Sequence, residues 1–251
     1  MVLIWSRWMD LVVLLFSFGV VLYMIRRSLK GKPPKIRRLA ALDAVDELVG
    51  RAAEMGGPIL CTPGWGRSFT ESASAPQFMA FLSLLNSVAR KAYDAGANMI
   101  VSVAVPEMLP LSQEVLRENA RLIGHPELYD ESKVRYFPGA YGLIASTMGI
   151  FETKEKPASF IMVGPLFMET LYLSLLAATK GALQIGGTAN ISQIPFLVAC
   201  CDYILIGEEI YAAGAYLDRE PVQVGSIGGQ DIIKLFAIGA AIAGFILYQF
   251  L

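Results

Sequence analysis

PASFIMVGPLFMETLYLSLLAATKGALQIGGTANISQIPFLVACCDYILIGEEIYAAGAYL, residues 157–217, decides the fold. Three short apolar runs, SFIMVG (159–164), ALQIG (182–186) and YILIG (203–207), alternate with stretches of helical spacing near 167–178, 192–201 and 209–217. The strand runs are continuously apolar rather than alternating, which is the pattern of strands covered on both faces. Outward toward the N-terminus the same unit recurs. PILCT (58–62) precedes a helical stretch near 75–95, MIVSVAV (99–105) one near 111–123, and VRYF (134–137) one near 141–151. Before them, residues 39–57 place Leu42, Val45, Leu48, Val49 and Ala52 at helical spacing and stop at Gly56-Gly57. Six strand–helix units predict an α/β fold: a mainly parallel sheet with helices on both faces, Rossmann-like, in one domain. No repeat of fixed period accompanies the alternation.

Two apolar segments flank this domain. Residues 11–25 (LVVLLFSFGVVLYMI) form an uncharged run of 15, short of the roughly 20 residues that cross a bilayer core. Residues 2–5 and Trp8 lengthen it across Arg7 and Asp10, which lie three apart and can pair on a helix. Trp5 and Trp8 suit the headgroup level. A secretory leader carries its cations before the apolar run and a cleavage site after it. Here RRSLKGKPPKIRR follows instead, so a retained anchor is expected. Residues 232–251 (IIKLFAIGAAIAGFILYQFL) carry Lys234 as their only charge and follow a Gly-rich stretch that reads as a linker. Gly239 with Ala243, and Ala240 with Gly244, are small residues four apart, a spacing that lets helix backbones approach.

Between residues 26 and 38 there are seven bases and no acid. Such a segment holds its side of a span in the cytoplasm. The expected organisation is therefore an N-terminal transmembrane anchor (1–25), a basic linker (26–38), a cytoplasmic α/β domain (39–230) and a C-terminal transmembrane helix (231–251). The lipid bilayer is the first expected partner, with both termini outside.

Composition narrows the function classes. The chain is 55% hydrophobic and 17% charged, against about 25% charged in ordinary soluble domains. Its mean hydropathy is +0.51. Disorder is excluded, and a purely soluble protein is argued against. Residues 39–230 hold 12 bases against 20 acids, a net charge of −8. That balance repels a phosphate backbone, so no nucleic-acid partner is expected. Cys61, Cys200 and Cys201 have neither zinc-ribbon spacing nor an even count, and on the cytoplasmic side they are expected as thiols. Residues 157–217 contain only Glu169, Lys180, Asp202, Glu208 and Glu209 as charges. A half-exposed α/β layer normally carries more, so burial against copies of itself, a homo-oligomer, is expected.

Ligands of open parallel sheets collect at the carboxyl ends of the strands. Candidate side chains there are Thr62, Trp65, Arg67, Glu107, Glu169, Thr170, Thr188, Asn190, Glu208 and Glu209. Gly64-Trp65-Gly66 begins like a dinucleotide fingerprint, but Phe69 stands where the third glycine belongs, and a plain tight turn is the better reading. Gly186-Gly187-Thr188-Ala189-Asn190 reads as a turn before a helix. Its N–H groups could meet a phosphate or carboxylate, with Arg67 as the cation, although no P-loop lysine is present. The expected ligand-binding set is thus Thr62, Arg67, Gly186, Gly187, Thr188 and Asn190. Glu107, Glu169, Glu208 and Glu209 are the candidates for acid–base chemistry. The helix dipole also accounts for acids in first helical turns without any chemistry. His125, the only histidine, lies in a Gly-His-Pro loop, and no G-x-S-x-G elbow occurs, which argues against a Ser-His-Asp hydrolase. Cys200-Cys201 reads as a pair of small hydrophobes at a helix end. No cofactor and no metal is assigned.

The stretches ALQIGGTA, QIPFLVACCDYILIGEEIYAAGAYL and GQDIIK resemble a prokaryotic, membrane-anchored family carrying a domain of unknown function, number sixty-seven fifty-four in its series. The similarity runs from about Asp43 to Lys234 and is most specific between Gly186 and Leu217. It implies the same anchored architecture and a prokaryotic plasma membrane. It marks Gly186, Gly187, Thr188, Glu208 and Glu209 as motif positions, and it implies no reaction. The expected function is a self-assembling membrane scaffold or ligand-responsive platform. The alternatives are a membrane-bound enzyme or binder of an anionic small molecule at the strand ends, and an accessory subunit of a larger membrane complex.

Overall fold

The computed structural model describes residues 8–34, 37–153 and 156–250. Trp5, Arg7 and Lys35 lie outside the described residues. The chain forms two compact units, one of residues 39–217 and one of residues 1–38 with 218–251.

In the first unit, α2 (Ala40–Asp43) and α3 (Val45–Met55) lead into β1 (Ile59–Thr62) and α4 (Ala75–Asp94). There follow β2 (Met99–Val103), α5 (Met108–Ile123), β3 (Val134–Tyr136), α6 (Gly139–Glu152), β4 (Ser159–Val163) and α7 (Glu169–Thr179). The unit closes with β5 (Leu183–Thr188), α8 (Ile194–Cys200), β6 (Tyr203–Ile206) and α9 (Glu209–Asp218). The sheet order is β3-β2-β1-β4-β5-β6, with every pairing parallel. All six expected strands are present, and the order is that of doubly wound dinucleotide-binding sheets.

Alternate residues of β1, β2 and β4 feed two cores. Ile59, Cys61, Met99, Val101, Ile161, Val163 and Ile185 pack with α3, α4, α5 and α9, where Phe78, Phe81 and Leu85 are fully buried. Leu60, Ile100, Phe160 and Met162 pack with Leu143 and Phe151 of α6, Leu173 of α7 and Leu197 of α8. Each large side chain so buried contributes about 1.5–3 kcal/mol. Continuous apolar runs were needed because both faces of these strands are covered. The chain runs from β3 at one edge back to β4 beside β1, so the direction of winding reverses between β1 and β4.

The second unit consists of α1 (Trp8–Leu29) and α10 (Pro221–Phe250). Both are long and apolar enough to cross a membrane. They pack together as an antiparallel pair: Gly225 lies against Ile25, Gly229 against Val21, and the Phe16 and Phe236 rings are 4.9 Å apart. The Gly-rich stretch before residue 231 is not a linker. It belongs to α10, which starts at Pro221, so the expected boundary at 230/231 falls inside a helix. A Cβ on Gly229 would stand 2.9 Å from the Val21 Cα, and one on Gly225 2.7 Å from the Ile25 Cα. Gly225 and Gly229, four apart, therefore supply the close helix approach that Gly239 and Gly244 were expected to supply. A Cβ on either of those two would meet no neighbouring element within 4 Å among the described residues.

Candidate functional site

The reversal between β1 and β4 is where a sheet of this order opens a crevice at its carboxyl end. Two loops meet there, residues 63–74 after β1 and residues 164–168 after β4. They interlock. A Cβ on Gly164 (φ +149°) would lie 2.4 Å from the Pro63 carbonyl oxygen, and one on Gly64 (φ +80°) 2.5 Å from Leu166 Cδ2. Only glycine fits both the backbone angle and the space at these positions.

Glu169, the first residue of α7, clasps the two loops. Its Oε1 accepts the Trp65 N–H at 2.8 Å and the Phe167 N–H at 3.2 Å. The side chain is fully buried, and among the described residues Oε2 has no hydrogen-bond partner. Burial pushes its carboxyl above the ordinary range, against the opposing pull of the Trp65, Glu169 and Phe167 N–H groups. Thr62 Oγ1 accepts the Gly64 N–H at 3.1 Å, and Thr170 Oγ1 donates to the Phe167 carbonyl at 2.7 Å.

A second cluster ties β5 to the same loops. Gln77 of α4 accepts the Ala189 N–H at 3.0 Å and the Thr188 hydroxyl at 3.4 Å. Asn190 Nδ2 donates to the Leu166 carbonyl at 2.6 Å, and the Asn190 N–H donates to Thr188 Oγ1 at 3.2 Å. Gln77, Leu166 and Phe167 were not singled out from the sequence. The available signal was Gln77 itself, a polar residue on the apolar face that carries Phe78, Phe81 and Leu85.

Arg67 is exposed and held at φ +55°, a left-handed conformation rare outside glycine. Its guanidinium carbon lies 5.3 Å from the Phe167 ring centroid and 6.0 Å from that of Trp65, within cation–π range. The two rings meet edge to face at 6.2 Å.

Gly186 and Gly187 lie within β5 rather than in a turn, paired to Met162 and Val163 on one side and to Ile204 and Leu205 on the other. They are small for packing reasons. A Cβ on Gly186 would meet Cys201 Sγ and Leu197 Cδ2, each at 2.8 Å, and one on Gly187 would meet Leu205 Cβ at 3.0 Å. The dinucleotide-like start likewise leads into a twelve-residue loop, because α4 begins only at Ala75. Phe69 of that loop stacks on Phe78 of α4, with ring centroids 5.8 Å apart.

The four acids are dispersed. Glu107 precedes α5 at the end of β2, while Glu208 and Glu209 follow β6. Four strand spacings separate those ends, about 19 Å. Glu209 accepts the Ile206 N–H at 3.0 Å, the local role expected at a helix start. His125 pairs with Glu127 at 2.8 Å in an exposed loop. Burial raises the Cys61 thiol well above its ordinary range and that of Cys201 to about 12, so both are protonated thiols. Among the described residues no three His, Cys, Asp or Glu side chains group as a metal site.

The arrangement interlocks loops, and it presents one exposed cation stacked on two aromatic rings. No curated protein and no solved structure matches the chain. A family model does, over residues 1–251, and it takes in both apolar helices as well as the six-stranded sheet. The chain belongs to the family described as Domain of unknown function (DUF6754).

Proposed function

We propose that this chain is a two-span protein of a prokaryotic plasma membrane whose cytoplasmic α/β unit is an assembly platform rather than a catalyst. The observation that carries the reading is the antiparallel α1–α10 pair. Its side chains Leu11 to Phe16 and Leu235, Phe236, Ile238, Ile242, Phe245 and Ile246 are exposed, and none is polar. In water such a surface is unfavourable by about 25 cal/mol per Å², whereas hydrocarbon accepts it. Because the helices are antiparallel, residues 29 and 221 leave the pair at the same end. One domain inserted between them then sits on one side, the side of the seven bases. The strand-end polar groups support a structural role, since Thr62, Gln77, Thr188, Asn190 and Glu169 Oε1 are engaged with the protein's own backbone and side chains.

The test is topological. The protein should resist alkaline extraction from membranes. A reporter at His125 should be accessible only after the membrane is opened, and one appended after Leu251 accessible in intact cells. Both reporters on the same side would show that α10 does not cross.

A second reading, a binder of anionic small molecules at the switch point, is favoured by one observation, the Arg67 guanidinium presented over Trp65 and Phe167. It requires that a nucleotide or phosphorylated metabolite raise the melting temperature and that Arg67→Ala abolish the effect. Saturation at a hundredfold the dissociation constant adds about 2.7 kcal/mol, which a melting experiment resolves. If a broad set of such compounds shifts nothing, the binder reading fails.

A further inference from the structure

We propose that the outer face of α6, α7 and α8 is the surface through which copies of this chain assemble, each copy meeting the same face of a second copy. The inference deepens the platform reading and rests on it only for placing the copies in one plane.

The two helical layers of the sheet differ in chemistry. Helices α3, α4 and α5 carry eleven charged residues. Helices α6, α7 and α8 carry two, Glu152 at the end of α6 and the buried Glu169. Nothing about covering a sheet requires that difference, because the inward faces of both layers are equally apolar. The difference lies on the outside. Tyr141 and Met148 of α6 are 74% and 49% exposed, Leu171, Tyr172 and Leu175 of α7 are 39%, 56% and 51% exposed, and Val198 of α8 is 56% exposed. The three helices lie side by side, α6 against α7 and α7 against α8.

With about 150–250 Å² for a fully exposed large side chain, these six expose on the order of 600 Å². The largest apolar patch on an ordinary monomer is about 300–600 Å², and one partner's share of a standard interface is about 800 Å². Ala145, Ala178, Ala199 and Gly149, exposed between and beside them, add to the same face. The residue types also match an interface core, with Tyr and Met in place of Lys, Glu and Asp.

Charge selects the occupant. Residues 39–217 hold 11 bases against 18 acids, a net of −7. Two copies approaching through the charged layer oppose like charges, whereas the charge-poor face, whose exposed Glu152 is neutralised by Lys180, is complementary to itself across a two-fold axis. The same net charge disfavours laying the face on anionic headgroups, which leaves a second copy as the occupant.

The experiment measures the mass of the full chain in mild detergent over a dilution series. The variants are Tyr172→Glu/Leu175→Glu on this face and Leu122→Glu on α5, where Leu122 is 64% exposed. Wild type is expected to be a dimer or larger. The double variant should weaken self-association at least a hundredfold, and Leu122→Glu should leave it unchanged. Melting temperatures of both variants serve as the folding control, since the substituted side chains are exposed. As an independent probe, Tyr172→Cys should cross-link to its counterpart with a short bis-maleimide. A monomeric wild type, a double variant that stays assembled, or equal loss on Leu122→Glu overturns the proposal. Alkaline extraction of the same samples separates the two readings. A chain washed from membranes that still associates through Tyr172 sinks the platform reading and leaves the interface standing. A double variant that leaves the membrane marks the face as a lipid contact and overturns the interface.

Discussion

Glu169→Ala tests whether the switch point is held by an internal clasp. The substitution removes the acceptor of the Trp65 N–H at 2.8 Å and the Phe167 N–H at 3.2 Å. Each buried donor left unpaired costs about 1–3 kcal/mol. Trp65 and Phe167 are half-buried, so the lower part of that range applies, and the loss should be about 2–4 kcal/mol in all. For a chain of this size about 1 kcal/mol corresponds to 2–4 °C, giving a drop in melting temperature of about 4–16 °C. Glu169→Gln keeps a carbonyl acceptor and should cost less than about 1 kcal/mol at neutral pH. Hydrogen exchange reads the mechanism directly, because the Trp65 and Phe167 amides should lose protection in the alanine variant and keep it in the glutamine one. The pH dependence has a definite sign. Burial raises the Glu169 carboxyl above its ordinary 4.5, so the folded state holds the proton more tightly than the unfolded. The associated stability is complete below the unfolded value and is lost as pH rises through the folded one. Wild type should therefore gain on the non-titrating glutamine variant as pH falls toward about 4.5. An alanine variant within about 1 kcal/mol of wild type with unchanged Trp65 exchange, or a pH trend of opposite sign, would refute the clasp.

Two further outcomes follow from close contacts. Gly186→Ala drives a methyl group into Cys201 Sγ and Leu197 Cδ2, each 2.8 Å from the added carbon; it should lower the unfolding free energy by about 1–3 kcal/mol, read as a lower denaturation midpoint with an unchanged slope. Gly229→Leu should separate α1 from α10 and abolish cross-linking of a Phe16→Cys/Phe236→Cys pair, while Gly239→Leu, with nothing within 4 Å, should leave the cross-link intact.

The strands were legible because burial on both faces leaves one kind of sequence: SFIMV and MIVSV have no solvent side to satisfy. Contacts made far along the chain were not legible. Gly186-Gly187-Thr188 satisfies every local rule for a turn, yet its glycines answer to Leu197, Cys201 and Leu205, which close on β5 only after the sheet is assembled. Gly225 to Gly229 likewise reads as a linker until α1, some two hundred residues earlier, is laid against it. The switch-point clasp was half visible. Glu169, Thr62 and Arg67 stand at strand ends where chemistry is sought, but the atoms that engage them are backbone N–H groups and the rings of Trp65 and Phe167, and backbone donors leave no mark in a sequence.

The scarcity of charge in residues 157–217 illustrates the same division. Sequence alone registers the scarcity and cannot divide it between core and surface. The strand order does so by sending α6, α7 and α8 to one side of the sheet. Leu173, Ala177 and Leu197 then account for the buried share. Tyr172, Leu175 and Val198 are left facing outward, each more than half exposed among the described residues. An apolar residue beneath a helix is accounted for by the sheet it covers, and one above it calls for a second surface. That is why the outward layer, rather than the acidic residues at the strand ends, is where the function of this domain is to be sought first.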